Sequence, residues 1–145
     1  MTRFARVVAR VKKKWRYRSD GRKDTWTFGD VIRRWVEGVL RRFYVGDCED
    51  YCFRVIQVME GGKKKAVQAI KDGKYIIWWS SVRGTGIDHA VVECVKTGEF
   101  AEVIFGKAVK EPNKRLGTIR IIKKASAYEV LFRLGYIQTN YPSEK

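Results

Sequence analysis

The apolar residues in the first half of the chain recur every three or four positions, which is the spacing of an amphipathic helix. This spacing predicts helices with the boundaries 3–14, 28–43, 48–60 and 63–71. Thr27 is placed to cap the second of these helices, and Gly61-Gly62 is placed to end the third. Residues 15–17, between the first two, are predicted to be extended.

The second half carries shorter apolar runs rich in β-branched residues, which predict strands. These runs fall at residues 75–79, 89–95, 100–105 and 116–122. Ser126 is placed to cap a last helix that ends before Gly135. A chain of 145 residues with this order of elements predicts one α+β domain over residues 1–145, with a basic arm at 1–23 and a frayed tail at 139–145.

The net charge of +15 is concentrated towards the two ends of the chain. Residues 1–44 carry 14 basic and 4 acidic side chains, residues 45–106 carry 8 and 9, and residues 107–145 carry 9 and 3. A dense basic block attracts nucleic acid, acidic proteins or anionic surfaces, and it also keeps a protein soluble. The residues considered for such contacts are Arg6, Arg10, Lys12, Lys13 and Arg16.

Several classes of protein are excluded by composition. No run of eighteen apolar residues occurs, so no membrane-spanning helix is expected. The basic N-terminus lacks the continuous apolar stretch of a secretory signal. Three cysteines at irregular spacing do not form a disulfide framework. These features together favour the reducing cytoplasm.

The candidate chemistry lies at Cys48 and at His89, the only histidine. Asp47 is placed as N-cap of the predicted 48–60 helix and Asp50 as its N3 residue, so Cys48 is its first residue. The positive end of a helix dipole favours a thiolate, so a depressed pKa is expected for Cys48. If the strand that His89 opens crosses this helix start, the imidazole can pair with the thiolate. Core roles for both residues are the alternative.

Residues 46–51, Gly-Asp-Cys-Glu-Asp-Tyr, with His89-Ala90-Val91-Val92 about forty residues later, resemble the signature of transglutaminase-like cysteine peptidases of bacteria and their phages. Trp15-x-Tyr17 and Asp24-x-Trp26 are similar to elements that precede the cysteine in small phage members. The resemblance implies a papain-like fold, with the cysteine helix packed on an antiparallel sheet. It also implies a Cys-His-Asp triad, in which Cys48 and His89 take the first two places.

The third member of the triad departs from the family pattern, because no aspartate follows Asp88. Glu102, on the predicted third strand, is the best substitute, since a glutamate can also orient an imidazole. Glu102 as a solvent-facing strand residue is the alternative. The oxyanion hole is expected to use the backbone N–H of Cys48, with the indole N–H of Trp26 as its second donor.

Two metal sites compete with this interpretation. A zinc site would need Cys48, Cys52, His89 and Cys94. His89 and Cys94 are five residues apart on one strand and point to opposite faces, which argues against it. Calcium would use Asp47 and Glu49, but helix capping explains Asp47 more simply. No metal and no cofactor is therefore expected.

The sequence thus predicts a cysteine hydrolase, a peptidase or amidase of phage type acting on a host or phage protein. The alternative is a catalytically weak or inactive relative with the same fold. Such a protein would bind nucleic acid or an acidic host protein through its basic flanks.

Overall fold

The structure is a computed structural model, and the residues it describes are 1–18, 26–82, 87–110 and 119–136. These residues form four helices and two sheets. The helices are α1 (Arg3–Lys14), α2 (Cys48–Glu60), α3 (Lys63–Lys71) and α4 (Ala127–Arg133). The strands are β1 (Trp15–Tyr17), β2 (Asp30–Val36), β3 (Val39–Gly46), β4 (Tyr75–Val82), β5 (Ile87–Cys94), β6 (Glu99–Ala101) and β7 (Ile119–Lys124). The predicted α+β class is confirmed.

Helix α1 is part of the core. The Thr2 hydroxyl caps it by accepting from the Ala5 N–H, and its buried residues are Phe4, Val7, Val8 and Val11. The basic residues of the predicted N-terminal arm therefore alternate with a buried apolar face rather than forming a detached segment. The rest of that arm, residues 19–23, and the predicted tail at 139–145 lie outside the described residues.

Residues 28–43 do not form the predicted helix; they belong to a β-hairpin. Val36 pairs with Val39, so Glu37 and Gly38 alone form the turn, and their φ angles of 49° and 77° are those of a type I′ turn. β-branched residues favour strands, and glycine inside a helix costs about 1 kcal/mol. Thr27 is accordingly not a helix cap.

The sheets are separate. The first has the order β1-β3-β2, with β1 parallel to β3, and the second is antiparallel with the order β6-β5-β4-β7. Helix α2 packs on the second sheet, where its buried residues Cys52 and Ile56 share a core with Ala90 and Val92 of β5. No helix among the described residues has the length and apolar character needed to cross a membrane.

Candidate active site

The contacts at the start of α2 account for most of the residue types in the 46–51 segment. The Asp47 carboxylate accepts from the Asp50 N–H at 3.3 Å, and the Asp50 carboxylate accepts from the Asp47 N–H at 3.2 Å, which completes a capping box. Asp50 also accepts from the N–H and the hydroxyl of Thr27, both at 3.0 Å. A Cβ at Gly46 would lie 2.6 Å from the Asp50 side chain, so only glycine fits there. These contacts place Cys48 as the first residue of the helix.

Cys48 is half-buried, and its thiol donates to Glu49 Oε2 at 3.1 Å. Burial raises the pKa of the Cys48 thiol well above its ordinary value, and the neighbouring carboxylates, mainly that of Glu49, raise it further. The expectation of a depressed pKa is therefore wrong. A helix N-terminus contributes only about 0.3–1 kcal/mol at an exposed site, and here desolvation and the adjacent carboxylate outweigh it.

The Cys48 thiol lies beside Ala90 of β5, the residue that follows His89. A backbone hydrogen bond with Ala90 lowers the pKa of the thiol and so opposes part of the effect of burial. One turn further along α2, the Cys52 thiol donates to the Ala90 carbonyl oxygen at 3.6 Å. The start of α2 and the strand that carries the histidine are thus in contact.

His89 and Glu102 form a buried pair. Their Nε2 and Oε2 atoms are 2.7 Å apart, and the two side chains are 5% and 0% exposed. The Glu102 carboxylate also accepts from the backbone N–H groups of Ile104 and Phe105, each at 2.6 Å. The contact expected between the only histidine and this glutamate is present, and its catalytic role stays a prediction.

Glu102 lies in a turn and not on the strand predicted for residues 100–105. Strand β6 ends at Ala101, and the Gly106 N–H donates to the Glu102 carbonyl oxygen at 3.0 Å. The Lys12 ammonium donates to the Val103 carbonyl oxygen at 2.6 Å, which ties α1 to this turn. In the turn, the carboxylate accepts from the Ile104 and Phe105 N–H groups. In a regular strand, such N–H groups would donate to a neighbouring strand.

Trp26, predicted as an oxyanion donor, is a core residue that is 2% exposed. Its ring centroid lies 5.7 Å from that of Phe53 and 5.2 Å from that of Trp79. The hydrogen bonds between Thr27 and Asp50 hold its segment against the start of α2. The backbone N–H of Cys48, the other predicted donor, belongs to the first helical turn, whose amides have no acceptor within the helix.

Of the five basic residues predicted to contact a polyanion, four are exposed and Lys12 is half-buried, and their binding to a polyanion stays a prediction. The Lys12 ammonium donates to the Val103 carbonyl oxygen, and the Arg6 guanidinium donates to the Met1 carbonyl oxygen at 2.8 Å. The Arg16 guanidinium lies 4.4 Å from the ring centroid of Phe43, on the hairpin. Those exposed on α1 are Arg6, Arg10 and Lys13.

The metal sites considered from the sequence find no support in the geometry. Within the four described stretches, no three His, Cys, Asp or Glu side chains are grouped so that they could hold a metal ion. Asp47 caps α2 and Glu49 accepts from the thiol, so both acids considered for calcium have protein partners.

Two contributions to the site were missed from the sequence. Glu49 was considered only as a calcium ligand, yet it accepts from the Cys48 thiol; its position directly after a first-turn cysteine is the signal that could have found it. Lys12 was considered for polyanion binding, yet it supports the Glu102 turn. No local sequence pattern predicts the long-range contact between Lys12 and Val103.

A cavity of about 660 Å³ lies at the other end of α2 from Cys48, lined by residues that include Met59, Glu60 and Tyr75. The helix has 13 residues and is therefore about 20 Å long. This cavity is not part of the candidate site. Comparisons of the chain with protein-family models, curated proteins and solved structures find no match.

Proposed function

We propose that this chain is a cysteine hydrolase of the transglutaminase-like, papain-like type, cleaving a peptide or amide bond. The observation that carries the proposal is the placement of the Cys48 thiol beside the strand that holds the buried His89–Glu102 pair. A nucleophile, a base and an acid that orients the base are the parts an acyl-transfer site needs. Three free cysteines fit a cytoplasmic setting, which is the host cytoplasm if a phage encodes the chain.

The proton in this mechanism moves from Cys48 to His89. Glu102 occupies Nε2 of the ring, so Nδ1 is the nitrogen that takes the thiol proton. Since the raised pKa keeps Cys48 protonated at rest, the proton leaves as Sγ attacks rather than before substrate binds. Glu102 stabilises the imidazolium that forms.

The bond changes follow acyl transfer. Sγ of Cys48 forms a bond to the substrate carbonyl carbon, and the backbone N–H of Cys48 donates to the oxyanion. The C–N bond breaks, and the imidazolium of His89 gives its proton to the leaving amine. Water, deprotonated by His89, then attacks the thioester, and Sγ leaves and regains a proton.

Acylation by p-nitrophenyl acetate tests the proposal because it needs no knowledge of the natural substrate. We expect a burst of p-nitrophenolate of one equivalent, with acetyl found on Cys48 by mass spectrometry. Cys48→Ala should abolish the burst and His89→Ala should slow it. Cys94→Ala is the matched control and should keep it, because Cys94 is buried on the far part of β5.

Cleavage of a mixed peptide library then tests the bond class. Products should appear with the wild-type protein and disappear with Cys48→Ala. Acetyl spread equally over the three cysteines, or library products that persist in Cys48→Ala, would exclude Cys48 as the nucleophile.

A further inference from the structure

The hairpin of β2 and β3 is a protruding ribbon with unusual exposure. Its tip exposes large apolar side chains: Trp35 is 74% exposed, Val39 54% and Leu40 48%. The seven residues of β2 span about 23 Å at about 3.3 Å per residue. The arginines next to this tip, at positions 33, 34, 41 and 42, are exposed as well, so both faces of the ribbon are accessible to a partner.

Arginine pairs lie on both faces of the ribbon, between the apolar tip and the base of the hairpin. Residues directly opposite in the register share a face, so Arg33 with Arg42 and Trp35 with Leu40 lie on one face. The other face carries the second pair of arginines and the second pair of apolar tip residues: Arg34 with Arg41, and Val36 with Val39.

These arginine pairs are unfavourable for the hairpin itself. Like charges directly opposite one another destabilise antiparallel strands. None of the four forms an ion pair within residues 1–18, 26–82, 87–110 and 119–136. The ribbon between Val31 and Val45 holds four arginines, one glutamate and no lysine. Arginine binds phosphate with two parallel hydrogen bonds, so this composition indicates a phosphate ligand.

The base of the hairpin contacts the rest of the fold through three arginines. Arg54 of α2 donates to the Gly29 carbonyl oxygen at 2.9 Å, and its guanidinium lies 4.7 Å from the ring centroid of Tyr44. Asp30, at the start of β2, forms an ion pair with Arg18. Arg16, stacked on Phe43, adds a further cation beside the base.

We propose that this hairpin inserts into a groove of duplex DNA. The arginine pairs would bind phosphates of the two strands on either side of the groove, while Trp35 and Leu40 at the tip contact base edges. The major groove of B-DNA is about 12 Å wide and admits a two-stranded ribbon. Single strands are instead bound in concave basic grooves, and the major groove of duplex RNA is too narrow to enter.

A membrane surface fits the same charges less well. An element that lies on a bilayer separates an apolar face from a basic face, but this ribbon carries arginines on both faces. End-on insertion of the tip would carry the charge of Glu37 into hydrocarbon, because Glu37 is in the turn itself.

The proposal is tested by binding to a fluorescein-labelled DNA duplex of about 20 base pairs between about 50 and 200 mM salt. The hairpin variant carries Arg33→Gln, Arg34→Gln, Arg41→Gln and Arg42→Gln. The matched control removes the same charge from exposed lysines elsewhere, with Lys64→Gln, Lys65→Gln, Lys71→Gln and Lys96→Gln. Each phosphate contact contributes about −0.9 to the slope of log affinity against log salt.

We expect the hairpin variant to lose at least about tenfold in affinity and to reduce the slope by about 3 to 4. The control should keep most of both. Trp35→Ala should weaken binding about tenfold with the slope unchanged, because an apolar contact with base edges is not electrostatic. The hairpin variant should melt no lower than the wild type, since its like-charge pairs are gone.

Equal losses in the hairpin variant and its control would overturn the proposal. So would equal affinity for a duplex RNA of the same sequence, or hairpin-dependent binding to phosphatidylserine vesicles without hairpin-dependent binding to DNA. Cys48→Ala should bind DNA like the wild type, so this result and the hydrolase test can fail independently.

Discussion

Changing Glu102 to Gln has a structural consequence that follows from the contacts of its two oxygens. Oε2 accepts from His89 and from the Ile104 N–H, and Oε1 accepts from the Phe105 N–H. The amide of glutamine has only one oxygen. Its NH₂ group must therefore face either the Ile104 N–H or the Phe105 N–H, and that backbone donor loses its acceptor.

The size of the effect follows from this loss. A hydrogen bond contributes about 0.5–1.5 kcal/mol to stability, so the free energy of unfolding should fall by about that amount. During acyl transfer, the imidazolium of His89 also loses a charged partner, and hydrogen bonds to charged groups contribute about 1.5–3 kcal/mol. Acylation of Cys48 should therefore slow by about 10- to 100-fold.

Both quantities can be measured on the same protein, by urea unfolding and by the burst with p-nitrophenyl acetate. Glu93→Gln is the matched control: Glu93 is on β5, the strand that carries His89, and it accepts from Trp78 Nε1 at 2.8 Å, a bond that the glutamine oxygen can keep. It should leave both values near wild type. If Glu102→Gln unfolds more easily but acylates at the wild-type rate, Glu102 is a structural residue only and the triad assignment is refuted.

Three further predictions concern the start of α2. Glu49→Gln should speed alkylation of Cys48 by iodoacetamide about tenfold at pH 8, because the carboxylate that raises the thiol pKa is gone; an unchanged rate, read by mass spectrometry, would remove Glu49 from the site. The free energy of unfolding should decline as the pH rises above about 9, because the Cys52 thiol ionises in the unfolded chain but keeps its proton in the folded one, where burial raises its pKa. Melting temperatures measured against pH should fall less steeply in Cys52→Ala. Gly46→Ala should lower the free energy of unfolding by about 1–3 kcal/mol by displacing Asp50 from the capping box, and a wild-type melting temperature would contradict the steric argument.

The start of α2 was predictable because its determinants are local. Asp47 and Asp50 recognise each other's backbone within four residues, and this arrangement is written in the sequence as a capping box. The contact of Ala90, next to His89, with the start of α2 depended on a strand crossing that no local pattern specifies. For that contact, the spacing of the two motifs was a better guide than periodicity.

The hairpin was predicted wrongly because periodicity alone cannot tell a helix from an exposed ribbon. The apolar residues at 28, 31, 32, 35, 36, 39, 40 and 43 match a helical face. That periodicity reflects a helix only when the face is buried against a core, and here most of β2 and β3 is exposed. The dipeptide Glu37-Gly38 between valines was the turn signal that should have been weighed more heavily.

Glu102 shows the limit of prediction for the site. The absence of an aspartate after Asp88 made Glu102 the candidate. On the strand predicted for it, however, the sheet would have used the N–H groups of its neighbours. The turn frees the amides of Ile104 and Phe105 for the carboxylate, and it is supported from outside by Lys12. These supports depend on the packing of α1, more than eighty residues away in sequence, and so became visible only in three dimensions.

The two places to which the proposals assign function both contain an arrangement that is locally unfavourable. The Cys48 thiol is partly desolvated beside the Glu49 carboxylate, and the hairpin sets arginine opposite arginine twice. Neither arrangement is required by the fold, in contrast to Gly46, Asp50 and Lys12, whose contacts hold elements together. Sequences that agree with their fold elsewhere tend to depart from local rules where a ligand or substrate supplies the missing interaction. In the two proposals, a phosphate bound between the arginines would neutralise their charges, and a substrate carbonyl carbon would react with the thiol.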